Sequence, residues 1–156
     1  MSRRDQIKMT DEEASAFLDE QRTVICATIG RDGWPHLMPL WYVVRDGELW
    51  SWTYAASQKV RNLERDARAT LQAEAGHEYQ ELRGVMIKAD AVIHREVEDV
   101  ARLGREIFTR YTNPEGGKLH EAVVAMVEKQ APKRVALQFV ERERATWDHG
   151  KLGGVY

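Results

Sequence analysis

Residues 34–66 read WPHLMPLWYVVRDGELWSWTYAASQKVRNLERD. Two apolar, aromatic-rich runs, Pro35–Val44 and Glu48–Thr53, flank Arg45-Asp46-Gly47, and a Gly-containing break between strand-like runs predicts a β-hairpin. The small residues Ala55-Ala56-Ser57 then lead into a short helical pattern, Gln58–Arg65, with Ser57 in the N-cap position. Lys59 and Arg61 fall in the first turn of that helix, where cations oppose the macrodipole. They are well placed if an anion sits there, because free backbone N–H groups, a hydroxyl and two cations converge on it. Phosphate is the chemistry this arrangement suits.

Outward from that stretch, Thr10 and Glu13 form a capping box, and Ala14, Phe17 and Leu18 place an amphipathic helix up to about Gln21. The β-branched run Thr23–Ile29 is a first strand, turned back by Gly30–Gly33. Ala69–Ala75 and Arg83–Ile93 follow as the fourth and fifth strands, with Gly76–Leu82 as a polar connection. Helical periods return over Val97–Tyr111 and Lys118–Gln130, broken by Asn113–Gly117 and ended by Pro132. Arg134–Val140 and Arg144–Asp148 are expected as two last strands. Strands first, two helices inserted late, then returning strands define an α+β fold around an antiparallel barrel or highly curved sheet. One domain over 10–150 is expected, with a mobile N-terminal arm, 1–9, and a C-terminal tail, 151–156.

The chain has 156 residues, enough for a genuine core, and a formal net charge of -2. That balance argues against a dedicated nucleic-acid or membrane-surface protein. The single cysteine, Cys26, excludes an internal disulfide framework and reads as a small buried hydrophobe. No apolar run has the length of a membrane span and the N-terminus has no signal-peptide core, so a soluble, cytoplasmic protein is expected. The five histidines, His36, His77, His94, His120 and His149, are not paired at metal-ligand spacing with one another or with Cys26, and no metal site is expected. Nucleophile-elbow, Walker and Gly-x-Gly-x-x-Gly signatures are missing. With no local catalytic machinery, a bound cofactor would have to supply the reactivity.

The order of elements, the Pro35–Pro39 strand, the Asp-Gly turns and above all Ser57-x-Lys59-x-x-Asn62-Leu63 followed by Arg65-Asp66-x-Arg68, with the terminal Ala145-Thr146-Trp147-Asp148, resemble the pyridoxamine-phosphate-oxidase-like split β-barrel superfamily. The pattern is most similar to the branch of flavin and deazaflavin oxidoreductases that use coenzyme F-420. The resemblance covers roughly Thr10–Asp148. It implies a split β-barrel (FMN-binding split barrel) with peripheral helices and a homodimer with a cofactor groove at the subunit interface. Lys59 matches the family's phosphate-contacting basic position; Ser57 and Arg61 join it on the helix-terminus argument. Asn62 is either a further contact or a brace for the strand–helix loop.

For the ring end, the resemblance implies backbone contacts from Met38, Pro39, Leu40 and Trp41. Trp52 and Thr53 would lie along the ribityl chain, and the partner subunit would bring Ala75, Gly76, Tyr79 and Trp147. The function implied is hydride transfer between coenzyme F-420 and a small electron-poor organic substrate. FMN on the same fold, or non-catalytic binding of a flavin, deazaflavin or tetrapyrrole, stand as alternatives. No residue is singled out as catalytic: Tyr54, Tyr79, His77 or solvent could each deliver the proton. The long segment Asn113–Pro132 and the tail Lys151–Tyr156 depart from the compact family pattern and are expected to shape the open side of the groove.

Overall fold

The computed structural model describes residues 2–154. Over these, helices α1 (Arg3–Gln6) and α2 (Asp11–Glu20) precede strands β1 (Val24–Ile29), β2 (Pro35–Leu40), β3 (Tyr42–Arg45) and β4 (Glu48–Tyr54). Then come α3 (Gln58–Arg65), β5 (Arg68–Ala75), β6 (Arg83–His94), α4 (Val97–Thr112), α5 (Glu121–Gln130) and β7 (Arg134–Asp148). The strands form one antiparallel sheet in the order β2-β1-β5-β6-β7-β4-β3.

That order decides the shape. β2 and β3 lie at opposite edges of the sheet, yet Leu40 ends one and Tyr42 begins the other, so Trp41 alone joins the edges. Neighbouring Cα atoms are about 3.8 Å apart, so the sheet must curl until its edges nearly meet. The result is a split barrel. Its interior is filled by inward-facing residues such as Val24, Cys26, Tyr42, Leu71, Val85, Leu137 and Phe139. A second cluster joins α4 and α5 to the sheet, with Val100, Leu103, Ile107 and Val127 against Val43, Trp50 and Trp52.

Local chemistry explains the elements. Thr10 Oγ1 accepts from Glu13 N at 3.1 Å while the Glu13 carboxylate accepts from Thr10 N at 2.7 Å, the reciprocal cap expected for α2. Asp46 and Gly47, with φ of 51° and 80°, make the two-residue turn between Arg45 and Glu48, a backbone that Asp and Gly tolerate well. β2 carries Pro35 and Pro39 at a sheet edge, where a missing N–H costs little.

Two expectations are corrected. Pro35–Val44 is not one strand: it breaks at Trp41 into β2, paired with β1, and β3, paired with β4. Conversely, Arg134–Asp148 is one strand rather than two. Lys88 pairs with Glu143 and Ala89 with Glu141, leaving Arg142 as the extra residue of a β-bulge where a break was expected. The segment read as an arm, 1–9, carries α1, and Met9 is buried in the core, its N–H donating to Thr146 Oγ1 at 3.0 Å. In the expected tail, Lys151 and Leu152 belong to a 3-10 turn, His149–Leu152, and Val155 and Tyr156 lie outside the described residues. Among the described residues no helix is long and apolar enough to cross a membrane.

Candidate functional site

Two hollows lie along a seam between β2 and α3. Met38 faces the same way as its register partner, the fully buried Cys26, yet keeps 42% exposure, so it looks into the open seam. On the opposite side α3 starts at Ser57, whose backbone is extended (φ -69°, ψ 154°) as a cap requires. Its hydroxyl makes no capping bond; Oγ is buried with no protein partner. Trp52 Nε1 and His36 Nδ1 are the other two buried side-chain polar atoms without a partner among the described residues. All three belong to residues on this seam or its pockets, and orphaned buried polar atoms are rare enough to mark a place where a ligand can complete them.

Lys59 is 8% exposed and its ammonium donates to Thr53 Oγ1 at 3.1 Å. No carboxylate among the described residues pairs with it. Burial pushes its pKa below the ordinary lysine value, and the nearby Arg134 charge adds to that shift. Arg134 stands at the start of β7, with its guanidinium 4.1 Å from the Trp52 ring centre and 3.9 Å from that of Tyr54. A pocket of about 360 Å³ brings together Pro39, Leu40, Trp41, Trp52, Thr53 and Lys59, with Ile107, Phe108 and Arg134 closing it. Trp41 stacks on Tyr111 at 4.3 Å, and both Trp41 and Trp52 meet Phe108 edge-on, so the apolar wall is held rigid by α4.

A larger hollow, about 570 Å³, lies along the same seam between the β1–β2 turn and α3, lined by Gly30, Trp34, His36, Gln58 and Asn62. It contains neither Lys59 nor Arg134, and size alone does not make it the chemical centre. Asn62 is fully buried and committed: its amide donates to Thr28 Oγ1 at 3.0 Å and its carbonyl oxygen accepts from Gln58 and Arg65. These bonds tie α3 to β1. Arg61 is exposed on α3, at the rim. Arg65 supports the same brace, and Arg68 is paired with Asp66 at 2.6 Å, which holds that carboxyl at about 2.

Ala75, Gly76, Tyr79 and Trp147 are gathered elsewhere. Trp147 lies over Gly84, where a Cβ would run into its indole. Gly76 has φ +105° and sits against the Glu81 carbonyl, and Tyr79 packs on His149 at 4.5 Å. Arg134 and Trp147 are at opposite ends of β7, roughly 40 Å of extended strand apart. One chain therefore assembles the Lys59 end and the Trp147 end as two separate clusters. Sequence reasoning missed Arg134 and Phe108; neither sits in a motif, and each reaches the pocket only through tertiary packing.

A split barrel with a basic, aromatic-walled seam at the start of a short helix defines the class. The chain belongs to the pyridoxamine 5'-phosphate oxidase family, whose model matches residues 10–148. Among solved structures it is similar to the conserved hypothetical protein Rv2991 from Mycobacterium tuberculosis, with 40% identity and a TM-score of 0.87 over 100% of this chain and 95% of that one. An F-420 reductase matches at 17% identity and TM-score 0.67, covering 87% of this chain and 98% of its own. The haem storage protein HutZ from Vibrio cholerae matches at 13% and 0.67, covering 87% and 94%. The last two likenesses concern the fold alone. No curated protein gives a significant match.

Proposed function

We propose that the protein is a deazaflavin-dependent reductase that binds coenzyme F-420 along the β2–α3 seam and reduces a small electron-poor organic molecule. The observation that carries this reading is Lys59 at the start of α3, a buried ammonium whose only hydrogen-bond partner among the described residues is the neutral Thr53 hydroxyl. A buried cation without a counter-charge is costly, and a phosphate on Lys59, the Ser57 hydroxyl and the first N–H groups of α3 relieves that cost. Arg61 at the rim suits the acidic tail of the cofactor. β2 from Met38 to Leu40, with Trp41, offers backbone groups and an apolar edge to a flat ring, while Trp52 and Thr53 border the chain between ring and phosphate.

When bound, a reduced 5-deazaflavin supplies a hydride from its C5 to an electron-poor carbon. The protein's share would be to fix the anionic end, to offer the ring the apolar wall built by Trp41 and Phe108, and to keep water from the site. A homodimer belongs to the same proposal. It would carry the Ala75–Tyr79 connection and Trp147 of the partner subunit to the groove, residues that stand apart from Lys59 within one chain. FMN on the same anchor is the second reading, favoured by the flavin-binding members of the family.

Side-by-side titration of the purified chain with oxidised F-420 and with FMN, followed by tryptophan fluorescence, tests the proposal. Tight F-420 binding with weak FMN binding is expected. Preference for FMN would move the protein to the second reading, and binding of neither would remove both.

A further inference from the structure

The pocket contains a second cation that a phosphate on Lys59 does not explain. Nε and Nη2 of Arg134 both donate to Gln130 Oε1, at 2.9 and 2.7 Å, and its flat faces rest on Trp52 and Tyr54. These partners are all neutral. Elsewhere Arg45 pairs with Glu106, Arg95 with Glu64 and Arg144 with Glu141; Arg134, although half-buried, has no carboxylate among the described residues. Burial lowers its pKa, as it does that of Lys59. Two desolvated like charges facing one pocket raise the free energy of the empty fold.

The two cations do not share one side of the strand end. Tyr54 pairs with Arg134 and Thr53 with Val135, so the alternation along β4 puts Thr53, which holds Lys59, on the barrel face and Arg134 on the face under α4. They flank the end of β4. Stacking and the Gln130 fork hold the guanidinium in one plane in advance, which favours two-point recognition of a carboxylate or phosphate at small entropic cost.

We propose that Arg134 is an oxyanion-binding residue of this pocket that seats a second acidic group, distinct from the phosphate assigned to Lys59. The group is a carboxylate or phosphate. It comes either from the cofactor, beyond its first phosphate contact, or from a substrate that is itself a planar acid lying against Phe108. Naming F-420 as the cofactor rests on the function proposed above; the anion seat rests on Arg134 alone.

Calorimetric titrations of the full chain and of two variants, Arg134→Gln and Gln130→Glu, test it. Gln130→Glu keeps the stacked arginine but hands it an internal carboxylate, so an Arg134 that touches no ligand predicts only the small, uniform weakening that an added negative charge gives every anion in the pocket. Three probes are used: F-420 with its phosphate-free deazaflavin core, benzoate added to the F-420-loaded chain, and inorganic phosphate added to the chain alone. A loss of at least tenfold in both variants is expected. If it appears for F-420 and not for the core, the second anion is the cofactor's; if it appears for benzoate with F-420 affinity intact, the anion is the substrate's. A wild type that binds phosphate but ignores F-420, with the phosphate binding lost in both variants, would remove the cofactor assignment and keep the seat. Wild-type affinities for every probe in Gln130→Glu would overturn the seat, as would a wild type that binds no oxyanion at all.

Discussion

At the scale of single residues, the proposed chemistry turns on Lys59. Only its ammonium form attracts a phosphate, and burial with the nearby Arg134 charge moves its pKa below the ordinary 10.5. The sign for stability follows: between the lowered native value and 10.5 the unfolded chain binds the additional proton, so folding stability rises with pH across that window. Affinity for an anionic cofactor moves the opposite way, because binding must put the proton back. The wild type should therefore lose F-420 affinity at alkaline pH, beginning below 10.5, whereas Lys59→Arg, whose guanidinium stays charged, should give a flat profile. A flat wild-type profile measured by titration across that range would detach Lys59 from the anion. The local oddity of Lys59 was legible in the sequence, since a cation in a helix's first turn is locally misplaced. Asn62 and Arg134 were not legible: Asn62 meets Thr28 thirty-four residues away, and Arg134 is recognised only by the neutral groups around it.

The same contrast holds among the elements. Helix α3 spans Gln58–Arg65 as its periodicity predicts, and the Asp46-Gly47 turn follows from two residues that accept positive φ. The Trp41 corner had no such marker, because a one-residue turn between two apolar strands leaves the pattern of side chains unbroken. Nor did the bulge at Arg142, which a run of charged residues made resemble a break. Packing between elements also carries a test. At Gly104 a Cβ would lie 2.9 Å from Val127 Cγ1 and 3.1 Å from the Trp52 ring, so α4 reaches the sheet only because this residue lacks a side chain. Gly104→Ala gains about 1 kcal/mol of helix propensity but overpacks the contact by about 1–3 kcal/mol. A lower melting temperature and a changed Trp52 environment in near-UV circular dichroism are expected; a more stable variant with an unchanged spectrum would contradict the close approach.

For the whole molecule, the outward face of β1 and β2 carries Ile25, 38% exposed, and Leu37, 57% exposed, beside Ala27, Pro35 and Pro39 in register. A contiguous apolar sheet face of this kind suits a second copy of the chain. Such a copy would also bring the Trp147 cluster to a groove it cannot reach within one chain. Leu37→Glu should yield a monomer by light scattering and weaken cofactor binding while Lys59 stays intact; a monomeric wild type with full affinity would contradict the shared groove. The fold class was the most legible part of the molecule, because the succession of strands and helices along the chain follows from periodicity. Whether the Trp147 cluster meets Lys59 across a dimer has no trace in one sequence. The most direct test of the site is the dissociation constant of F-420 for the wild type against that for Lys59→Ala. Loss of a charge-assisted hydrogen bond predicts weakening by about 1.5–3 kcal/mol, roughly 10- to 150-fold. Equal affinity in the two proteins would contradict it and remove Lys59, and the seam it anchors, from the site.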